Sequence, residues 1–211
     1  MWVSAAGAVL GEVFGAAARL RQGKPLHPHG TVYRAVLRRT GSPERWGAEW
    51  LDTPGEDLGL VRVSRAIGLP QPLPDVLGLA LTFSGAVGDR HDLLLATTGL
   101  RSGARFLLLP GRNPFAVAYS SLLPYRSPRG LVLLAAVPVA KASDSDKFRM
   151  LAAAPTGRWQ EFATLELTAR SGAAPDQPIR FDPMRYVLPG LAWPPALARL
   201  REPAYAAARQ V

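Results

Sequence analysis

The 211-residue chain predicts an α+β fold, an antiparallel β-barrel of about eight strands (a sandwich being the other all-β solution) flanked by an N-terminal and a C-terminal helix. Three observations predict it. The 20 Gly and 20 Pro are spread along the chain and cut it into short elements. Between them lie eight β-like apolar runs, each bounded by Gly, Pro, Asp or Ser. The two ends, by contrast, are rich in Ala and Leu and read as helices.

In order, residues 1–20 (MWVSAAGAVLGEVFGAAARL) read as an amphipathic helix. Glu12 interrupts it and no basic residues precede it, which argues against a secretory signal or a membrane span. The expected strands are 31–40, 58–66, 76–84, 91–98, 104–110, 115–121, 129–139 and 158–170. SGAVGDR, at 84–90, reads as a hairpin turn. The closing PPALARLREPAYAAARQV reads as a helix with Pro195 near its start. No repeat or linker divides the chain, so residues 1–211 are read as one domain.

Composition narrows the function classes. The absence of Cys excludes disulfides, thiolate ligands and Cys nucleophiles, and fits a cytoplasmic location. The net charge of +9 is carried by scattered arginines rather than one basic stripe, so a nucleic-acid surface is not expected. No phosphate-binding loop, dinucleotide fingerprint or G-x-S-x-G elbow is present.

Two clusters carry chemistry. His27, His29, Asp89, His91 and Asp92 supply the donor types of a metal-dependent hydrolase such as a phosphodiesterase. Such a site requires the HPH turn and the DRHD hairpin end to converge. The second cluster is RLREPAYAAAR, in which Arg201, Tyr205 and Arg209 share a helix face at four-residue spacing. A cation beside a phenol favours the phenolate, a hard anionic ligand for ferric iron. An Arg–Tyr stacking pair on a surface helix is the competing reading of that motif alone.

Four stretches, in one order, resemble the catalase-like haem proteins. KPLHPHG resembles the R-x-x-H-x-x-G that holds the distal histidine, and LVRVS resembles V-R-F-S. LPDVLGLALTFSGAVGDRHDLLLATT resembles L-P-D-x-R-G-x-A-x-K-F followed by D-L-V-G-N-N. FDPMRYVLPGLAWPPALARLREPAY resembles the F-D-P to R-x-x-x-Y stretch that ends on the proximal tyrosine.

The resemblance implies haem b, with Tyr205 as iron ligand, Arg201 beside it, and His27 as the distal acid–base. Ser64 would fix the histidine tautomer. Lys24, Arg62 and Arg209 would neutralise propionates, and Phe106 and Phe115 would form apolar walls. Lys24 stands where the family has an arginine, and Ala96 and Thr97 stand where it has two asparagines. Thr97 is then the hydroxyl expected to position a hydroperoxide, organic rather than hydrogen peroxide. The implied function is a haem-dependent peroxidase acting on small hydroperoxides. The alternatives are the metal hydrolase above and a non-catalytic barrel that binds a small molecule after loss of haem.

Overall fold

The computed structural model describes residues 29–70, 72–84, 89–139, 146–170 and 179–209. Nine strands form one antiparallel sheet: β1 (His29–Arg39), β2 (Gly55–Arg65), β3 (Leu77–Ser84), β4 (Arg90–Thr97), β5 (Tyr119–Ser120), β6 (Tyr125–Ser127), β7 (Gly130–Pro138), β8 (Asp146–Ala153) and β9 (Gln160–Arg170). Their order is β5-β4-β3-β2-β1-β9-β8-β7-β6, and an additional β5–β7 pairing closes it into an eight-stranded barrel. Closure removes the unpaired edges that an open sheet would expose.

The expected C-terminal helix is present. The helices described are α1 (Glu49–Asp52) and α2 (Pro195–Arg209), with a 3-10 turn at Ser102–Ala104. The expected N-terminal helix lies outside the described residues.

Period-two alternation sorts every strand. Ala35, Leu37, Val61, Leu79, Leu81, Leu93, Leu95, Leu134, Phe148 and Leu165 point inward and form one apolar core. Phe115 belongs to that interior as well, with ring centroids 6.1 Å from Tyr33 and 6.2 Å from Phe148. The barrel is a filled core rather than a pore.

Two expected strands differ from the structure. Residues 104–110 are turns and coil, held because the buried Arg105 guanidinium donates to the carbonyls of Leu100, Ala154, Pro155 and Gly157 and stacks 4.6 Å from Trp159. Residues 146–153, outside the eight expected strands, form β8 between β7 and β9. The 115–121 run contributes only the two residues of β5.

One mouth of the barrel is plugged by α1. Trp50 and Leu51 are buried there, Trp50 lies 5.4 Å from the Phe162 ring, and a buried ion pair anchors the plug. Arg39 Nε donates to Asp57 at 2.8 Å, and the Trp50 indole N–H donates to the same carboxylate at 3.0 Å. Between β4 and β6, below the short β5, residues 182–193 fill the gap. Asp92 N–H donates to the Tyr186 carbonyl, and Ala192 forms a bridge to Arg126.

Asp57→Ala leaves a guanidinium and an indole N–H in the plug without their acceptor. It is expected to lower unfolding free energy by about 3–5 kcal/mol, measured by urea denaturation.

Candidate functional site on the outer face and the C-terminal helix

Because odd positions of β2, β3 and β4 face inward, even positions share the outer face. The register aligns Gly30, Ser64, Gly78, Ala96 and Ser120 in one row across β1 to β5. The next row is Val32, Arg62, Ala80 and Leu94. The outer face therefore carries two rows of mostly small side chains, a floor that curves with the barrel wall. Val32, Ser64 and Gly78 in this floor are buried.

Gly30 leaves room for a neighbour. A Cβ at that position would come within 2.7 Å of the Arg62 guanidinium carbon, so Arg62 lies across the glycine. The floor has a cation at its side and a hydroxyl, Ser64, two residues along the same strand face.

Alternation separates Thr97 from this group. Thr97 is turned inward, accepts from the Leu77 N–H at 3.1 Å and donates to the Leu109 carbonyl at 2.6 Å. Ala96, not Thr97, shares the face with Ser64. Phe115 is likewise a core residue, and Phe106 is half-buried in the turn that follows the 3-10 segment. Lys24 and His27 lie outside the described residues.

The second part of the site is on α2. Arg201 Nη2 donates to the Tyr205 hydroxyl oxygen at 2.9 Å, so the four-residue spacing forms the pair that the sequence predicts. Arg209 is the last residue of the helix. The Arg201 guanidinium lies 4.3 Å over the Trp193 ring and 5.3 Å from the Tyr205 ring. Trp193 in turn stacks on Tyr125 with ring centroids 4.3 Å apart, and its indole N–H donates to the Pro183 carbonyl at 2.9 Å. Trp193 and Tyr125 carry no motif, and sequence reasoning did not single them out. Arg201 thus contacts both Tyr205 and Trp193.

The donor chemistry of these groups is compatible with haem: a phenol oxygen held by an arginine is an iron donor of the right type, and a guanidinium suits a carboxylate.

Among the described residues of the hydrolytic alternative, His29 and His91 do not come together. Following the ladder, His29 is level with Arg65, Leu77 and then Thr97, six residues from His91 on β4. That is roughly 20 Å along the strand and three strands across. His91 Nδ1 donates to the Val187 carbonyl at 3.1 Å, and Asp92 is occupied by Arg90 and the Asp182 N–H. Among the described residues no group of three His, Asp or Glu can hold a metal ion. No helix there is long and apolar enough to cross a membrane. No family model matches the chain, and no curated protein matches it significantly.

The Tyr125 hydroxyl is buried and has no hydrogen-bond partner among the described residues. Burial pushes its phenol far up, Arg201 pulls against that rise, and Tyr205 and Asp92 add to it. Above pH of about 10 the unfolded chain loses this proton while the folded chain keeps it, so stability falls as pH rises. Tyr125→Phe is expected to leave stability at pH 7 unchanged or raise it by about 1 kcal/mol, since an unsatisfied group is removed. It should also make the alkaline decline shallower by about 1.4 kcal/mol per pH unit, read from urea denaturation between pH 7 and 11.

Proposed function

We propose that the protein is a haem-dependent peroxidase acting on small organic hydroperoxides. The observation that carries this reading is the hydrogen bond from Arg201 to the Tyr205 oxygen, at the spacing where catalase-like proteins place their iron ligand. The small-residue floor bearing Arg62 and Ser64 supports it, because both residues of the V-R-x-S stretch share one face.

Bound haem would supply the redox chemistry that breaks the O–O bond. The chain's own residues do the rest. Tyr205 offers the phenol oxygen as iron ligand, and Arg201 holds that oxygen in place. Arg62 pairs with a carboxylate at the cofactor edge. His27 carries a proton from one peroxide oxygen to the other, the role the resemblance gives it, and Ser64 holds its tautomer. Ala96 places a methyl group where the resemblance expects an amide. The floor beside Ser64 is thus made of Gly78, Ala80, Leu94 and Ala96, which favours an alkyl substituent over a second polar oxygen.

Protein produced with ample haem should show a Soret band, which Tyr205→Phe abolishes or weakens because a phenyl ring has no donor atom. A colourless protein that also fails to take up added haemin overturns the proposal. His27→Ala should keep the Soret band while cumene hydroperoxide turnover falls by roughly 10²–10⁴-fold. A variant that keeps wild-type turnover removes His27 from the mechanism. Haem uptake without turnover in the wild type favours the non-catalytic binding barrel.

A further inference from the structure

We infer that Trp193 is a positioning residue for the Arg201–Tyr205 pair, acting through the face of its indole ring; its link to catalysis rests on the haem reading above. The starting point is Pro203, which stands between Arg201 and Tyr205 inside α2. A proline there has no N–H to give to the carbonyl of residue 199, and its ring crowds that carbonyl. Helix hydrogen bonding alone therefore does not lock the turn that sets Arg201 against Tyr205.

The salt bridges among the described residues do not supply the lock either, since none involves Arg201. Trp193 does. Its ring lies 4.3 Å beneath the guanidinium, closer than the 5.3 Å to Tyr205 itself. A guanidinium held over the face of an indole spends none of its N–H groups on that contact, and Nη2 donates to the Tyr205 oxygen at 2.9 Å.

The platform is itself fixed from two sides. The indole N–H is tied to the Pro183 carbonyl at 2.9 Å, and the ring packs on the buried Tyr125 ring with centroids 4.3 Å apart. Trp193 is only 9% exposed. Pro194 and Pro195 follow it directly, and the Pro194 carbonyl accepts from the Ala198 N–H at 2.9 Å. The start of α2 is thereby attached to the platform with little freedom between them. The barrel core, Tyr125, Trp193, Arg201 and Tyr205 form one continuous stack. The position of the phenol oxygen is set by the barrel wall rather than by the helix.

The test uses protein with and without haemin, so that a failure of the haem reading is separable from a failure of this one. In the haem-free protein, NMR should show upfield ring-current shifts of the Arg201 Cδ protons and contacts between them and the Trp193 ring. Their absence in the wild type overturns the inference without any variant. Trp193→Leu should move the Tyr205 ring carbon bearing oxygen to the value seen in Arg201→Gln, whereas Trp193→Phe, which keeps an aromatic face, should stay near wild type. Phe and Leu behaving alike, or Leu behaving as wild type, overturns it. In haemin titrations, Trp193→Leu should weaken affinity by about tenfold in the wild-type background and by little in Arg201→Gln. Additive losses would show that Trp193 does not act through Arg201. If haemin is not bound at all, the haem reading fails and the NMR outcomes still decide the positioning role.

Discussion

Closure of the sheet through β5 constrains everything else in this molecule. Two residues accomplish it: Tyr119 pairs with Thr97 on one side and Ala136 on the other, and Ser120 with Ala96 and Ala135. Once the ring is closed, inward side chains share a narrow interior, and among the described residues Leu, Phe and Met line it as one apolar core. Chemistry is therefore confined to the outer face and to the segments laid against it. The Arg39–Asp57–Trp50 plug at one mouth and the 182–193 segment beside β4 belong to the same closure.

The outer surface is divided. Along β1, β8 and β9 it carries Arg38, Lys147 and Glu166, linked at 2.9 and 3.2 Å, with Arg149 and Glu161 at 3.8 Å. Exposed pairs of this kind contribute little to stability and mark a face turned to water. Towards one end of β1 to β4 the same side of the sheet carries Gly30, Val32, Ser64, Gly78, Ala80 and Ala96, with Arg62 and Leu94 among them. Gly30 makes room for Arg62 rather than for a turn.

The sequence was legible where alternation and local chemistry agree. The strands β1 to β4, β7 and β9 follow from alternating Val and Leu between turn residues, and the Arg201–Tyr205 pair follows from helical spacing. It was illegible where the deciding partner is remote. The LLL run at 107–109 resembles a strand, yet Arg105 anchors that stretch to carbonyls about fifty residues away. The strand β8 hides because three charged residues, Asp146, Lys147 and Arg149, fall in its first half and Ala152 and Ala153 have weak β preference. The choice between Ala96 and Thr97 depended on a one-residue register that only pairing with Gly78 fixes. Trp193 gave no signal, because its partners Tyr125 and Arg201 lie far away and on a different element, respectively.

The central claim is that the small-residue floor and Tyr205 serve one bound haem. Crystals of the protein grown with haemin, measured at the iron absorption edge, test it most directly. The account predicts a single anomalous peak at bonding distance from the Tyr205 oxygen, with the macrocycle edge reaching Arg62. An iron peak on any other side chain, or a haem lying away from the β1–β4 face, contradicts it.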